Sequence, residues 1–186
     1  MKILEARRRA LEESFFKDQD AKLLVAMRRK AARAEKRAAL SESSGLTNRD
    51  LLDLLLALEI DSETLAALTL IPLVEVAWAD GSVAQQERDA ILAAADSVGI
   101  TPESESYALL DHWLKKAPPD KLLEAWESYV AVLSETLTPD ARQTLRKDVI
   151  ERARQVATAA GGFLGLGRKI SSSEREVLAR LERSFG

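Results

Sequence analysis

No cysteine occurs among the 186 residues, so disulfides, thiolate metal sites, iron–sulfur clusters and cysteine nucleophiles are excluded. Histidine occurs once, at His112, which rules out a His-rich zinc site. A Ser-His-Asp triad would have to use that one imidazole, and no G-x-S-x-G elbow accompanies it. Gly and Pro are scarce, at 8 and 5 residues, and no stretch alternates β-branched residues, so strands have almost nothing to be built from. The most apolar run, from Leu65 to Ala79, contains Glu75 and is interrupted by Pro72. It falls short of the roughly 20 residues that a bilayer span requires and reads as a buried core helix. The opening Met1-Lys2-Ile3-Leu4-Glu5-Ala6-Arg7 has no apolar signal-peptide core, which fits the expectation of a cytoplasmic protein.

What is present is helix-forming Ala, Leu, Glu and Arg, with charge divided unevenly along the chain. Residues 1–40 hold twelve Lys/Arg against six Asp/Glu, a balance of +6; taking these from the totals of 27 and 30 leaves fifteen against twenty-four, or −9, for residues 41–186. The fold class expected is all-α, with a basic arm joined to an acidic body. In the arm, Leu4, Leu11 and Phe15 or Phe16 recur at helical spacing, followed by Leu23, Met27, Ala31, Ala34 and Ala38. Two helices or one long bent helix fit that pattern, with the Arg28–Arg37 stretch projecting or packing loosely.

Punctuation marks the remaining helices. A break is expected at Ser41-Glu42-Ser43-Ser44-Gly45, then a start signalled by Thr47 and Asp50 at capping-box spacing. Asp61-Ser62-Glu63 precedes a helix toward Trp78, with Pro72 forcing either a kink or two abutting helices. Ala79-Asp80-Gly81-Ser82-Val83 is a turn, and the next helix runs from about Gln85 to Val98 and ends at Gly99. Further helices are expected at about 103–116, 120–136, 140–160 and 172–184, each after Pro, Thr or Ser signals. The Gly161–Gly167 segment is not G-x-G-x-x-G, follows no strand and lacks Gly-Lys-Ser/Thr, so a turn packing back on the core is expected rather than a nucleotide site.

Val83-Ala84-Gln85-Gln86-Glu87-Arg88 aligns with Ile170-Ser171-Ser172-Ser173-Glu174-Arg175, and Ile91 and Leu178 stand four residues past each Glu. Each copy has an apolar helix before the turn and a helix with an early Glu after it, a helix-turn-helix pseudo-repeat. The run Val76-Ala77-Trp78-Ala79-Asp80-Gly81-Ser82-Val83, with Glu87 beyond it, resembles the signature of the TerB-like family over about residues 48–186. Ala84 stands at that family's usual cap position, and Gly167 occupies in the second copy the place of Asp80 in the first. The resemblance implies a compact multi-helix TerB-like domain at 45–186 behind a basic helical arm at 1–44. It also implies links to tellurite resistance, stress response and membrane complexes, and divalent-cation binding. Ala10-Leu11-Glu12, Phe15, Asp18, Leu23 and Arg28-Arg29 further resemble the start of the ATPase inhibitor subunit zeta.

Asp80 and Glu87 are the sharpest candidate ligands, since a turn carboxylate beside a helix start with a second carboxylate in its first turn could hold Ca²⁺ or Mg²⁺. The competing reading is structural: Asp80 and Gly81 make the turn, and Glu87 complements the helix dipole. Glu75 is the third candidate, a carboxylate in apolar surroundings that needs a partner or an upward pKa shift. Trp78, Trp113 and Trp126 read as core or interface anchors. The Arg-rich half of the arm lacks interleaved aromatics, so nucleic acid is not the expected partner. A protein partner is expected, through the arm or the acidic body, with peripheral membrane contact as a further option. The functional expectation is a non-enzymatic, cation-responsive interaction module; the alternative is an ATPase inhibitor acting through the basic helices.

Overall fold

A computed structural model of the protein describes residues 2–159 and 170–185, with residues 2–21 described by backbone alone. The fold is all-α: among the described residues there are eight α-helices, one 3₁₀ helix and no strand. The Gly161–Gly167 turn anticipated from sequence lies outside the described residues.

Helix α1 (Lys2–Ser44) is one uninterrupted 43-residue helix, a single element where the sequence allowed two. Its end comes later than the Ser-rich stretch implies. The hydroxyls of Ser43 and Ser44 donate back to the Leu40 carbonyl at 3.2 and 2.5 Å, so the serines continue the helix. The chain turns only at Gly45, whose φ is 71°. Helix α2 (Arg49–Ala57) is capped by Asn48, whose side chain accepts from the Leu51 N–H, one residue past the Thr47 cap expected from sequence. Pro72 gives two abutting elements, a 3₁₀ helix at Leu65–Leu70 and then α3 (Ile71–Ala77), because proline is accommodated in a first helical turn where no backbone donor is lost.

Helices α4 (Gln85–Ser97), α5 (Glu105–Lys115), α6 (Lys121–Thr136), α7 (Pro139–Ala159) and α8 (Ser172–Arg183) complete the body. The core is one continuous cluster, with Leu55, Ile60, Ile71, Val74, Ile91, Leu110, Leu122, Ala153 and Leu181 among its fully buried members. Helix α3 lies at its centre, packed on α4, α6, α7, α8 and the 3₁₀ helix. Its apolar run, Ile71 to Val76 apart from Glu75, is therefore buried almost all round. Helices α4 and α8 both pack on α7, and α8 also packs on α3, so the two halves of the pseudo-repeat bury their apolar faces against each other.

Two of the tryptophans are core residues. Trp113 and Trp126 are buried, and Trp126 meets the Phe185 ring edge-on with centroids 5.8 Å apart. Trp78 is half-buried at the end of α3, where its indole N–H donates to the Trp113 carbonyl at 2.8 Å. That bond ties the Asp-Gly turn to the end of α5.

Candidate functional site

After α3 the chain reverses through Ala79–Ala84. The Gly81 N–H donates to the Trp78 carbonyl at 2.8 Å, and Gly81 takes a φ of 93°, a conformation that L side chains rarely adopt. Asp80 is exposed, and its Oδ1 accepts from the Ser82 N–H at 3.1 Å, an Asx-type bond that closes the turn locally. Glu87, by contrast, is only 4% exposed, and its Oε2 accepts from the Ala84 N–H at 2.8 Å. This is half of a capping box: Ala84 has no side-chain oxygen with which to return the bond.

The second copy is complete. Glu174 is buried, its Oε2 accepts from the Ser171 N–H at 2.5 Å, and the Ser171 hydroxyl accepts from the Glu174 N–H at 3.1 Å. The two capping carboxylates lie close enough to feel each other. Burial pushes the Glu87 carboxyl up from its ordinary value, the Ala84 N–H opposes this, and the charges of Asp80 and then Glu174 add to the rise. The sequence signal for both is the Glu-Arg pair shared by the two copies. That their charges couple across the pseudo-repeat is not visible from spacing.

Glu75 belongs to a different place. Burial raises its pKa to about 7; the Arg180 charge opposes the rise, and Asp120 and Glu127 reinforce it. Arg180 is itself held by Glu127 in a bidentate pair, Nε to Oε1 at 2.7 Å and a terminal NH₂ to Oε2 at 2.8 Å. Glu75 thus sits with the α6–α8 ion pair, while Asp80 and Glu87 share the α3–α4 turn. The structure places Asp80 and Glu87 on the one turn, with their charges coupled, but it does not bring Glu75 to them. Among the described residues no group of three or more His, Asp or Glu side chains converges as a metal-ligand set. His112 is exposed on α5 beside a shallow cleft of about 260 Å³ lined by Ala57, Leu58, Lys116 and Pro118.

A second polar region joins α1 to the body. Asp53 accepts from Arg37 at 2.9 and 3.0 Å and from Arg33 at 3.2 Å, while Lys36 donates to Asp61 at 2.8 Å. Burial alone would raise the Asp53 carboxyl; the Arg37 and Arg33 guanidinium groups outweigh it and hold the group below its ordinary value. Below these pairs Leu40 is fully buried. Residues 22–32 of α1, in contrast, are all exposed, and Leu23, Leu24, Val25 and Met27 are the large apolar side chains among them. No helix among the described residues is long and apolar enough to cross a membrane. Comparison of the chain with protein-family models, curated proteins and solved structures yields no match.

Proposed function

We propose that the protein is a non-enzymatic, TerB-like interaction scaffold in which α1 is the contact element. The observation that supports this is the exposure of residues 22–32 of α1: the helix is rooted in the body through Arg33, Lys36, Arg37 and Leu40, with Leu23, Leu24 and Met27 left open to solvent ahead of that root. The buried carboxylates point the same way, since Glu87 and Glu174 already accept backbone N–H groups at helix starts. A pull-down with the whole chain and with Leu23→Glu/Met27→Glu tests the reading. Material held by the wild type should be lost in the variant and kept by His112→Ala, an exposed substitution on the body; an unchanged set of partners sinks it.

The cation-responsive part rests on Asp80 and Glu87, the two carboxylates of the α3–α4 turn. Calorimetric titration of Ca²⁺ and Mg²⁺ into the wild type and Asp80→Ala tests it. Heat that disappears in the variant supports it, and no heat in either leaves a scaffold without cation control. A second reading, in which the arm inhibits an ATPase, is favoured by one observation: α1 runs uninterrupted from Lys2 to Ser44, with the exposed residues 22–32 ahead of its contacts with the body. Inhibition of ATP hydrolysis by the added protein is its test.

A further inference from the structure

We infer that the outer face of α1 docks on an anionic lipid surface, an inference that rests on reading α1 as the contact element. At about 100° per residue, Met27, Ala31, Ala34 and Ala38 share one arc of the helix, flanked by Leu23 and Leu24. That arc lies roughly 150° round the helix from Arg33, Lys36, Arg37 and Leu40, which face the body. Each arc residue is exposed, with Met27, Leu23 and Leu24 at 60%, 59% and 54%. The helix therefore turns an apolar strip away from its own domain.

Charge selects the occupant. Arg28 and Lys30 flank the strip on either side and Arg29 stands behind it; all three are exposed and none forms a salt bridge among the described residues. Residues 22–40 hold seven Lys/Arg and one acid, Glu35. A second copy laid strip to strip would set these cations against their own kind, which argues against self-association through this face. An anionic bilayer meets both features at once: the short apolar strip enters the headgroup boundary, and the long basic side chains reach phosphate from its flanks. Because the body is on the opposite side of α1, the helix can lie along a plane without a clash.

The test is co-sedimentation of the full chain with vesicles of phosphatidylcholine alone and of phosphatidylcholine with phosphatidylglycerol as about a third of the lipid. The wild type should bind only the anionic vesicles and be released as salt is raised toward about 1 M. Arg28→Gln/Lys30→Gln should weaken partition roughly thirtyfold, and Leu23→Glu/Met27→Glu should abolish it. Both variants alter exposed positions and should keep the wild-type melting temperature. No binding of the wild type to anionic vesicles, equal binding to both vesicle types, or full binding by either variant would overturn the inference. If the wild type ignores vesicles while Leu23→Glu/Met27→Glu still loses a captured protein, the lipid is the wrong partner and the contact role of α1 stands. A concentration-dependent dimer abolished by Leu23→Glu/Met27→Glu would overturn the lipid assignment in favour of a second copy.

Discussion

At Glu59 the backbone enters the left-handed region with φ 63°, while at the matching point of α4 the same conformation, φ 81°, is taken by Gly99. The two helix ends are otherwise alike. Ile60 N–H returns to the Leu55 carbonyl at 2.9 Å and Ile100 N–H to the Ala95 carbonyl at 3.0 Å, and both isoleucines are buried. Glu59→Gly should therefore stabilise the protein by about 0.5–1 kcal/mol, and Gly99→Ala should destabilise it by about 1 kcal/mol. Urea denaturation measures both, and since a Cβ at Gly99 meets nothing within 4 Å, that cost is torsional. Glu75 carries the pH dependence. Its folded pKa of about 7 stands above the ordinary 4.5, so the folded state binds the proton more tightly. The contribution to stability is complete below pH 4.5 and is lost as pH rises through about 7. Thermal melts from acid to mildly alkaline pH should show Glu75→Gln gaining on the wild type only toward the upper end; equal gains throughout would refute the assignment.

Among the elements, the root of α1 shows which interactions hold a helix to its neighbour. Leu40 is fully buried, so Leu40→Ala should cost about 2–5 kcal/mol. The Arg33 pair with Asp53 is solvent-facing and the Arg37 pair half-buried, so Asp53→Asn should lower stability by less, with an effect that shrinks in high salt. Guanidinium unfolding cannot separate these because it screens charge, whereas urea with and without added salt can. The same region shows what was legible beforehand. The starts of α5, α7 and α8, expected at about 103, 140 and 172, lie at Glu105, Pro139 and Ser172, readable to within two residues because the signals are chemistry local to a few residues. The break at Ser41–Gly45 is readable to within a turn, but not its exact place, because serine hydroxyls can either break a helix or bond back within it, as Ser44 does to the Leu40 carbonyl. The coupling of Glu87 to the charge of Glu174, and of Glu75 to that of Arg180, was out of reach: periodicity tells which face of a helix is apolar but not which distant helix covers it.

On the scale of the whole molecule, helix content and tertiary packing are spatially separated. All three tryptophans are in the body, at Trp78, Trp113 and Trp126, whereas residues 22–32 of α1 have no buried side chain. Far-UV circular dichroism should therefore lose part of its helical signal on heating before tryptophan fluorescence moves, because helix without packing is marginal. Coincident curves would mean that something, such as a partner or a lipid, covers the arm. The rooted helix also has a mechanical meaning. At about 1.5 Å per residue α1 is a rod of roughly 65 Å clamped near one end. A load on the helix ahead of that root acts as a lever, so the Arg33 and Arg37 contacts with Asp53 should open before Leu40 yields, while the body, with α3 enclosed at its centre, carries little of the force. Tension on anything held by the arm would thus be relieved at the α1–α2 seam, which acts as a mechanical fuse.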